Sequence, residues 1–107
     1  LPLLRKGNQK WLPFVVFRMM FYTYVLYSKK FNKIYVGYTA NLEDRFKSHN
    51  QLATKGYTVK FRPWIIAFHE EFETKSEAIK REKQLKSSQG RKYIWDRLAA
   101  DGLISVS

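Results

Sequence analysis

Two stretches decide the fold: FYTYVLYS at residues 21–28 and IYVGYT at residues 34–39. Both are rich in aromatic and β-branched residues, which is the composition of β-strands. The polar residues between them include Asn32 and fit a hairpin loop, so the two strands are expected to pair in antiparallel fashion. Gly37 lies inside the second strand, where a glycine often marks a close approach of another group to the backbone.

The rest of the chain predicts one more strand and three helices. In chain order these are a helix capped by Asn41, a loop at 51–60, a strand at 64–72, and helices at 77–86 and 92–100 separated by a break at 87–90. The order ββαβαα predicts an α+β fold, a three-stranded antiparallel sheet flanked by helices. Residues 1–20 carry no clear period and are expected to form a leader, residues 21–100 the domain, and residues 101–107 a C-terminal tail.

Composition and charge limit the classes of function that the chain can have. The chain has 107 residues, enough for one domain, and 20 Lys and Arg against 9 Asp and Glu give a net charge of +11. This charge makes nucleic acid the leading partner, with a basic protein-interaction domain as the alternative. The absence of cysteine excludes disulfides and thiolate metal sites. No apolar run approaches the ~20 residues of a membrane-spanning helix, so we expect a cytoplasmic protein without a membrane partner.

Arg45 and His49 are candidates for phosphodiester chemistry. They lie four residues apart on the first predicted helix and therefore share one face. A guanidinium can bind phosphate, and an imidazole can move protons at neutral pH. The alternative is an ordinary solvated helix face.

Glu82 is a candidate metal ligand. Ala78, Ile79 and Leu85 form the inward stripe of the second predicted helix, and the same spacing turns Glu82 towards the core. A buried carboxylate needs a cation or a hydrogen-bond network, and Mg²⁺ is commonly held by one carboxylate and several waters. An internal salt bridge, for example to Arg45, is the alternative that stays open.

Tyrosines form the third unusual feature. Tyr22, Tyr24, Tyr35 and Tyr38 all lie on the opening hairpin, and Tyr35 shares a face with Gly37. Hydroxyl groups beside a glycine suit a surface that contacts phosphate. Ordinary packing of hairpin aromatics is the alternative.

Taken in order, these residues resemble the GIY-YIG nuclease family. The likeness covers roughly residues 21–95 and is closest to small stand-alone bacterial members, with similarity to the N-terminal nuclease domain of the excision-repair nuclease UvrC. The residues that carry it are Tyr22-Thr23-Tyr24, Tyr35-Val36-Gly37, the group Leu42, Arg45, His49 and Asn50, and the group Ala78, Glu82, Leu85 and Lys86.

The resemblance implies a DNA endonuclease, and the likeness to an excision-repair nuclease adds DNA repair as an expected role. It implies that Tyr24 and Tyr35 are the paired catalytic tyrosines, that Arg45 stabilises the transition state, and that His49 or Tyr35 activates water. It also implies that Glu82 binds one Mg²⁺ or Mn²⁺ during an in-line hydrolysis. The expected substrate is DNA, with branched or damaged duplexes among the candidates. A non-catalytic nucleic-acid-binding module on the same fold is the alternative.

Substrate binding is predicted for the basic residues of the last two helices. These cations would contact phosphates without reading sequence, although each could equally be a solubilising surface residue. A homodimer or a protein partner also fits a nuclease of this size. The predicted substrate-binding residues are Lys80, Lys83, Lys86, Arg91 and Lys92.

Overall fold

A three-stranded antiparallel sheet forms the centre of the molecule, as predicted. The computed structural model describes residues 19–105, so the first eighteen residues of the predicted leader and the last two of the predicted tail lie outside the described residues. The strands are β1 (Phe21–Ser28), β2 (Lys33–Thr39) and β3 (Ile65–Phe72). Their order is β2-β1-β3, which places β1 in the middle of the sheet.

The helices differ from the prediction in two regions. They are α1 (Leu42–Lys47), a π-helical turn (Ser48–Leu52), α2 (Tyr57–Lys60), α3 (Lys75–Lys86) and α4 (Ser88–Ala100). The predicted loop at 51–60 is therefore wrong, because it contains the end of the π-helical turn and all of α2. A four-residue helix is too short to show a period in sequence. Within residues 19–105, no helix is long and apolar enough to cross a lipid bilayer.

The predicted break between the last two helices is also shorter than expected. Only Ser87 separates α3 from α4, and Gly90 lies inside α4. A Cβ atom at Gly90 would strike the backbone of Gln84 and Leu85. This glycine is therefore a packing residue at the point where the two helices meet, and not a helix breaker.

Apolar residues cover both faces of the sheet. On one face, Val25 and Phe68 pack against Leu85 of α3 and against α4, whose Ile94 and Leu98 are fully buried. On the other face, Tyr24 and Leu26 pack with Trp64 and with partly buried residues of α1. Each fully buried aliphatic side chain contributes about 1.5–3 kcal/mol. The central strand is thereby fixed from both sides.

Candidate active site

Tyr24 and His49 form a buried hydrogen-bonded pair. The Tyr24 hydroxyl lies 2.7 Å from His49 Nε2, and the second ring nitrogen, Nδ1, lies 3.0 Å from Thr58 Oγ1. Tyr24 is 1% exposed and His49 is 5% exposed. Both nitrogens of the imidazole are therefore occupied by protein groups, and the ring orientation is fixed.

Burial keeps both members of this pair neutral at physiological pH. It raises the pKa of Tyr24 to about 12, and the negative charge of Glu82 adds to the increase in a smaller way. Burial also lowers the pKa of His49 to about 4, assisted by the positive charges of Arg45 and Arg62. Because guanidinium groups only donate, the arrangement in which Tyr24 donates to His49 leaves the Tyr24 oxygen free to accept from Arg45.

We expect the low pKa of His49 to make the protein less stable in mild acid. In the unfolded chain the pKa is about 6.5, so below that pH the unfolded state gains a proton that the folded state does not accept until about pH 4. Full stability is present above pH 6.5, and between pH 7.5 and 5 the free energy of unfolding should fall by about 2 kcal/mol.

Urea unfolding at the two pH values measures this effect. The His49→Gln variant should lose most of the pH dependence, whereas His69→Gln, which changes the exposed histidine of β3, should keep it. Equal pH dependence in the wild type and in His49→Gln would contradict the assignment.

Gly37 leaves the space that Tyr24 occupies. The two residues lie opposite each other in the β1–β2 pair. A Cβ atom at Gly37 would lie 2.5 Å from the Tyr24 hydroxyl oxygen and 2.7 Å from the ring carbon that carries it. The close approach expected from a glycine in this strand is therefore made by the Tyr24 side chain.

The segment after α1 holds His49 in place through residues that sequence reasoning missed. The Arg62 guanidinium donates to the carbonyl oxygens of Ser48, His49 and Ala53 at 2.7–3.1 Å. The Trp64 indole donates to the Thr58 carbonyl at 2.7 Å. In sequence, Arg62 and Thr58 look like ordinary loop residues, and no local pattern links either of them to His49.

Arg45 lies at the entrance of the site. It is on α1, which begins after Asn41, whose side chain accepts a hydrogen bond from Asp44 N–H at 3.1 Å. Its interaction with the Tyr24 hydroxyl, and a smaller one with Tyr35, raises the pKa of the exposed Arg45 guanidinium above its usual value. The Tyr35 ring lies 4.8 Å from the His49 ring and 6.4 Å from the Tyr24 ring. The guanidinium is thus open to solvent on one side and faces two hydroxyl groups on the other.

Glu82 reaches the same site from α3. Its side chain is 18% exposed, and its charge acts on the Tyr24 hydroxyl. Thr23 Oγ1 donates to the Ala78 carbonyl at 2.7 Å, which ties α3 to β1 one helical turn before Glu82. The salt bridge left open from the sequence exists, but its partner is Lys86, at 3.0 Å, and not Arg45.

Beside Tyr24 and Arg45, Glu82 is the carboxylate that could bind a metal ion. Among residues 19–105, no group of three or more His, Cys, Asp or Glu side chains could hold one. Glu82 is nevertheless suited to Mg²⁺ or Mn²⁺, because such ions keep several waters and take one or two carboxylates together with substrate phosphate oxygens. The hard oxygen donors fit, provided that Lys86 shares or releases the carboxylate.

The structure thus brings five predicted residues into one group, which we call the site cluster: Tyr24, Tyr35, Arg45, His49 and Glu82. The predicted substrate-binding residues are more spread out. Lys86 contacts Glu82, Lys92 pairs with Asp96 on its own helix at 2.8 Å, and Arg91 is exposed. Lys80 and Lys83 line an open cavity of about 740 Å³ between α3 and α4.

Comparison with known proteins identifies the family of the chain. A family model described as the GIY-YIG catalytic domain matches residues 20–94. The chain belongs to the GIY-YIG family. The resemblance seen in the motifs is therefore confirmed, and nucleases of this family act on DNA.

Relatives of the chain are small bacterial proteins. A UPF0213 protein of Staphylococcus haemolyticus is 39% identical over 66 residues, covering 62% of this chain and 79% of that protein. One of Staphylococcus saprophyticus is 35% identical over 81 residues, covering 76% and 95%. A solution NMR structure of a UPF0213 protein from Bacillus halodurans is similar with a TM-score of 0.45 and 26% identity, covering 73% of this chain and 84% of that one. The name UPF0213 states no activity.

Proposed function

We propose that the protein is a metal-dependent endonuclease that hydrolyses phosphodiester bonds of DNA. The observation that carries this proposal is the convergence of the site cluster, in which an exposed arginine, two tyrosines, a neutral histidine and a carboxylate come from five different elements. Membership of the GIY-YIG family and the net charge of +11 support it independently.

Arg45 is the group that would bind the scissile phosphate. Its guanidinium is exposed and lies beside the hydroxyl groups of Tyr24 and Tyr35. A planar guanidinium can donate to two phosphate oxygens at once. The same donors stabilise the additional negative charge that develops on the phosphate as water attacks.

His49 acts as a positioning residue for Tyr24. Moving the Tyr24 proton onto His49 is unfavourable in the resting protein, because burial raises the pKa of Tyr24 to about 12 and lowers the pKa of His49 to about 4. In addition, both nitrogens of His49 are occupied. We therefore assign to Tyr24 the positioning of Arg45: its hydroxyl donates to His49, which fixes its direction, and its oxygen accepts from the guanidinium.

Tyr35 is the better placed of the two candidates to orient the attacking water. Unlike His49, its side chain is only half-buried, and its ring lies beside the imidazole and beside Arg45. Glu82 would hold Mg²⁺ or Mn²⁺. When bound, such an ion stabilises the negative charge that develops on the leaving oxygen. Lys86 would then pass from Glu82 to a substrate phosphate.

A non-catalytic DNA-binding module is the second candidate. The observation that favours it is the Glu82–Lys86 salt bridge, in which a cation already occupies one side of the carboxylate. In such a module the site cluster would bind a backbone phosphate without cleaving it.

A cleavage assay separates the two functions. We expect the full chain to cut plasmid and branched DNA in the presence of Mg²⁺ or Mn²⁺. Cleavage should stop when the metal ion is chelated. Products should carry intact nucleotides on both sides of each cut, because a hydrolase breaks only the phosphodiester bond. DNA binding without any metal-dependent cleavage would support the non-catalytic module.

A further inference from the structure

A row of aromatic rings leads out of the site cluster. The Tyr35 ring stacks on Tyr57, with ring centres 6.2 Å apart and planes inclined by 27°. The Tyr57 ring lies 4.8 Å from Phe61, and Phe61 lies 5.4 Å from Phe31 in the hairpin between β1 and β2. We call these four residues, Tyr35, Tyr57, Phe61 and Phe31, the aromatic track.

Much of the aromatic track faces solvent. Tyr57 is 48% exposed and Phe31 is 40% exposed, whereas Tyr35 and Phe61 are half-buried. Single exposed aromatic residues are common, but a contiguous exposed set beside a functional cleft marks a binding surface. The half-buried rings anchor the row, and the exposed rings offer their faces.

The surroundings of the track are positively charged. Lys33 Nζ lies 5.5 Å from the centre of the Phe61 ring, and Lys30 Nζ lies 5.4 Å from that of Phe31. Residues 28–42 and 45–69 supply all four rings, and they contain eight Lys and Arg residues and no Asp or Glu. Glu43 and Asp44 of α1 lie between the two segments, and the other seven acidic residues follow residue 69. The track is therefore complementary to a polyanion that also carries flat rings.

We propose that the aromatic track stacks against the bases of single-stranded DNA next to the scissile phosphate. Aromatic side chains stack on any base, and lysines beside them bind the phosphates, so such a surface is tolerant of sequence. In an intact duplex the bases are stacked on each other and do not offer their faces. The inference rests on the proposed function and specifies its substrate: DNA with an unpaired segment at the cleavage point.

Binding measurements on the full chain test this without relying on cleavage. Fluorescence anisotropy would compare a labelled oligothymidine with a duplex of the same length, both in chelator. We expect Tyr57→Leu to weaken oligothymidine binding about tenfold or more, since stacking on one base is worth about 1–3 kcal/mol. Duplex binding should change less than twofold.

Two further variants control for folding and for general loss of an aromatic residue. Tyr57→Phe keeps the ring face and should bind oligothymidine as the wild type does. Tyr93→Leu removes a tyrosine that is 42% exposed on α4, outside the track, and should also leave this binding unchanged. Wild-type protein irradiated with an oligonucleotide that carries 5-iodouracil should crosslink at Tyr57 or Phe61.

The outcomes separate this inference from the proposed function. The inference would be overturned if Tyr57→Leu bound oligothymidine as the wild type does, or if crosslinks were confined to α3 and α4. The aromatic track would then be interpreted as a surface for a protein partner. An equal loss of single-strand and duplex binding would overturn the inference too. If the wild type bound neither oligothymidine nor the duplex, the proposed function itself would be refuted. Tyr57-dependent binding of oligothymidine without any DNA cleavage would refute only the proposed nuclease activity.

Discussion

Replacing Glu82 by glutamine should reduce metal-dependent DNA cleavage about 10³-fold. Charge stabilisation by a bound metal ion is worth several kcal/mol, and each 1.36 kcal/mol corresponds to a factor of ten in rate. Glutamine keeps the size of the side chain and removes its charge. DNA binding should be kept or become tighter, because a negative charge leaves the site and Lys86 loses its partner.

A matched control is available on β3. Glu71 is exposed, and Glu71→Gln removes the same charge outside the site cluster, so it should leave cleavage unchanged. Single-turnover rates, with the protein in saturating excess over DNA, would measure both variants. The Glu82–Lys86 pair is worth only about 0.3–0.5 kcal/mol as a helical ion pair, so the Glu82 variant should remain folded. Cleavage by Glu82→Gln at the wild-type rate would remove the metal role of this residue.

Replacing Arg45 by alanine should lower the cleavage rate about 10²–10³-fold, the usual effect of removing one preorganised donor to a charged transition state. The residue is exposed and contributes no buried apolar surface, so its loss should act on chemistry and much less on folding. Because Arg45 adds to the effect of burial in lowering the pKa of His49, this pKa should rise in the variant, and the protein should lose less stability in acid.

Lys47, two residues further along α1, provides the control variant for Arg45. Lys47→Ala removes an exposed cation of the same helix and should slow cleavage less than threefold, through weaker general attraction of DNA. Arg45→Lys should recover only part of the activity, because an ammonium group does not reproduce the planar fork of the guanidinium. Equal rates for the alanine variants of Arg45 and Lys47 would assign to Arg45 only an electrostatic contribution.

The hairpin could be predicted from sequence because its signals are local. Strand composition and a polar connection predicted the two strands, and the alternation of side chains placed Tyr35 and Gly37 on one face. In the structure Gly37 pairs with Tyr24. The fold class followed from the order of elements. The sequence could not show that the space left by Gly37 is filled by the Tyr24 ring, because that contact joins two strands.

The environment of His49 could not be predicted, since it depends on contacts that are distant in sequence. Helical spacing predicted that Arg45 and His49 share one face, and in the structure both interact with Tyr24. The chain between them nevertheless passes from an α-helix into a π-helical turn. Thr58 bonds to His49 from a four-residue helix inside a predicted loop. The same short helix carries Tyr57, so the aromatic track was missed for the same reason.

For Glu82, the sequence left two possible partners open, a metal ion or a basic side chain. Its position beside the inward stripe of α3 indicated a partly buried carboxylate, and the structure agrees. Whether its partner is a metal ion or a basic side chain depends on rotamers and on substrate. Lys86 lies one helical turn further on, a spacing at which any exposed acid and base can pair.

The location of Mn²⁺ in crystals grown with a DNA that resists cleavage tests the central claim most directly. The account predicts one anomalous signal at the Glu82 carboxylate, with a backbone phosphate between that ion and Arg45 and with Lys86 turned away from Glu82. An ion bound elsewhere, or a phosphate outside the site cluster while Lys86 keeps its contact with Glu82, would contradict it.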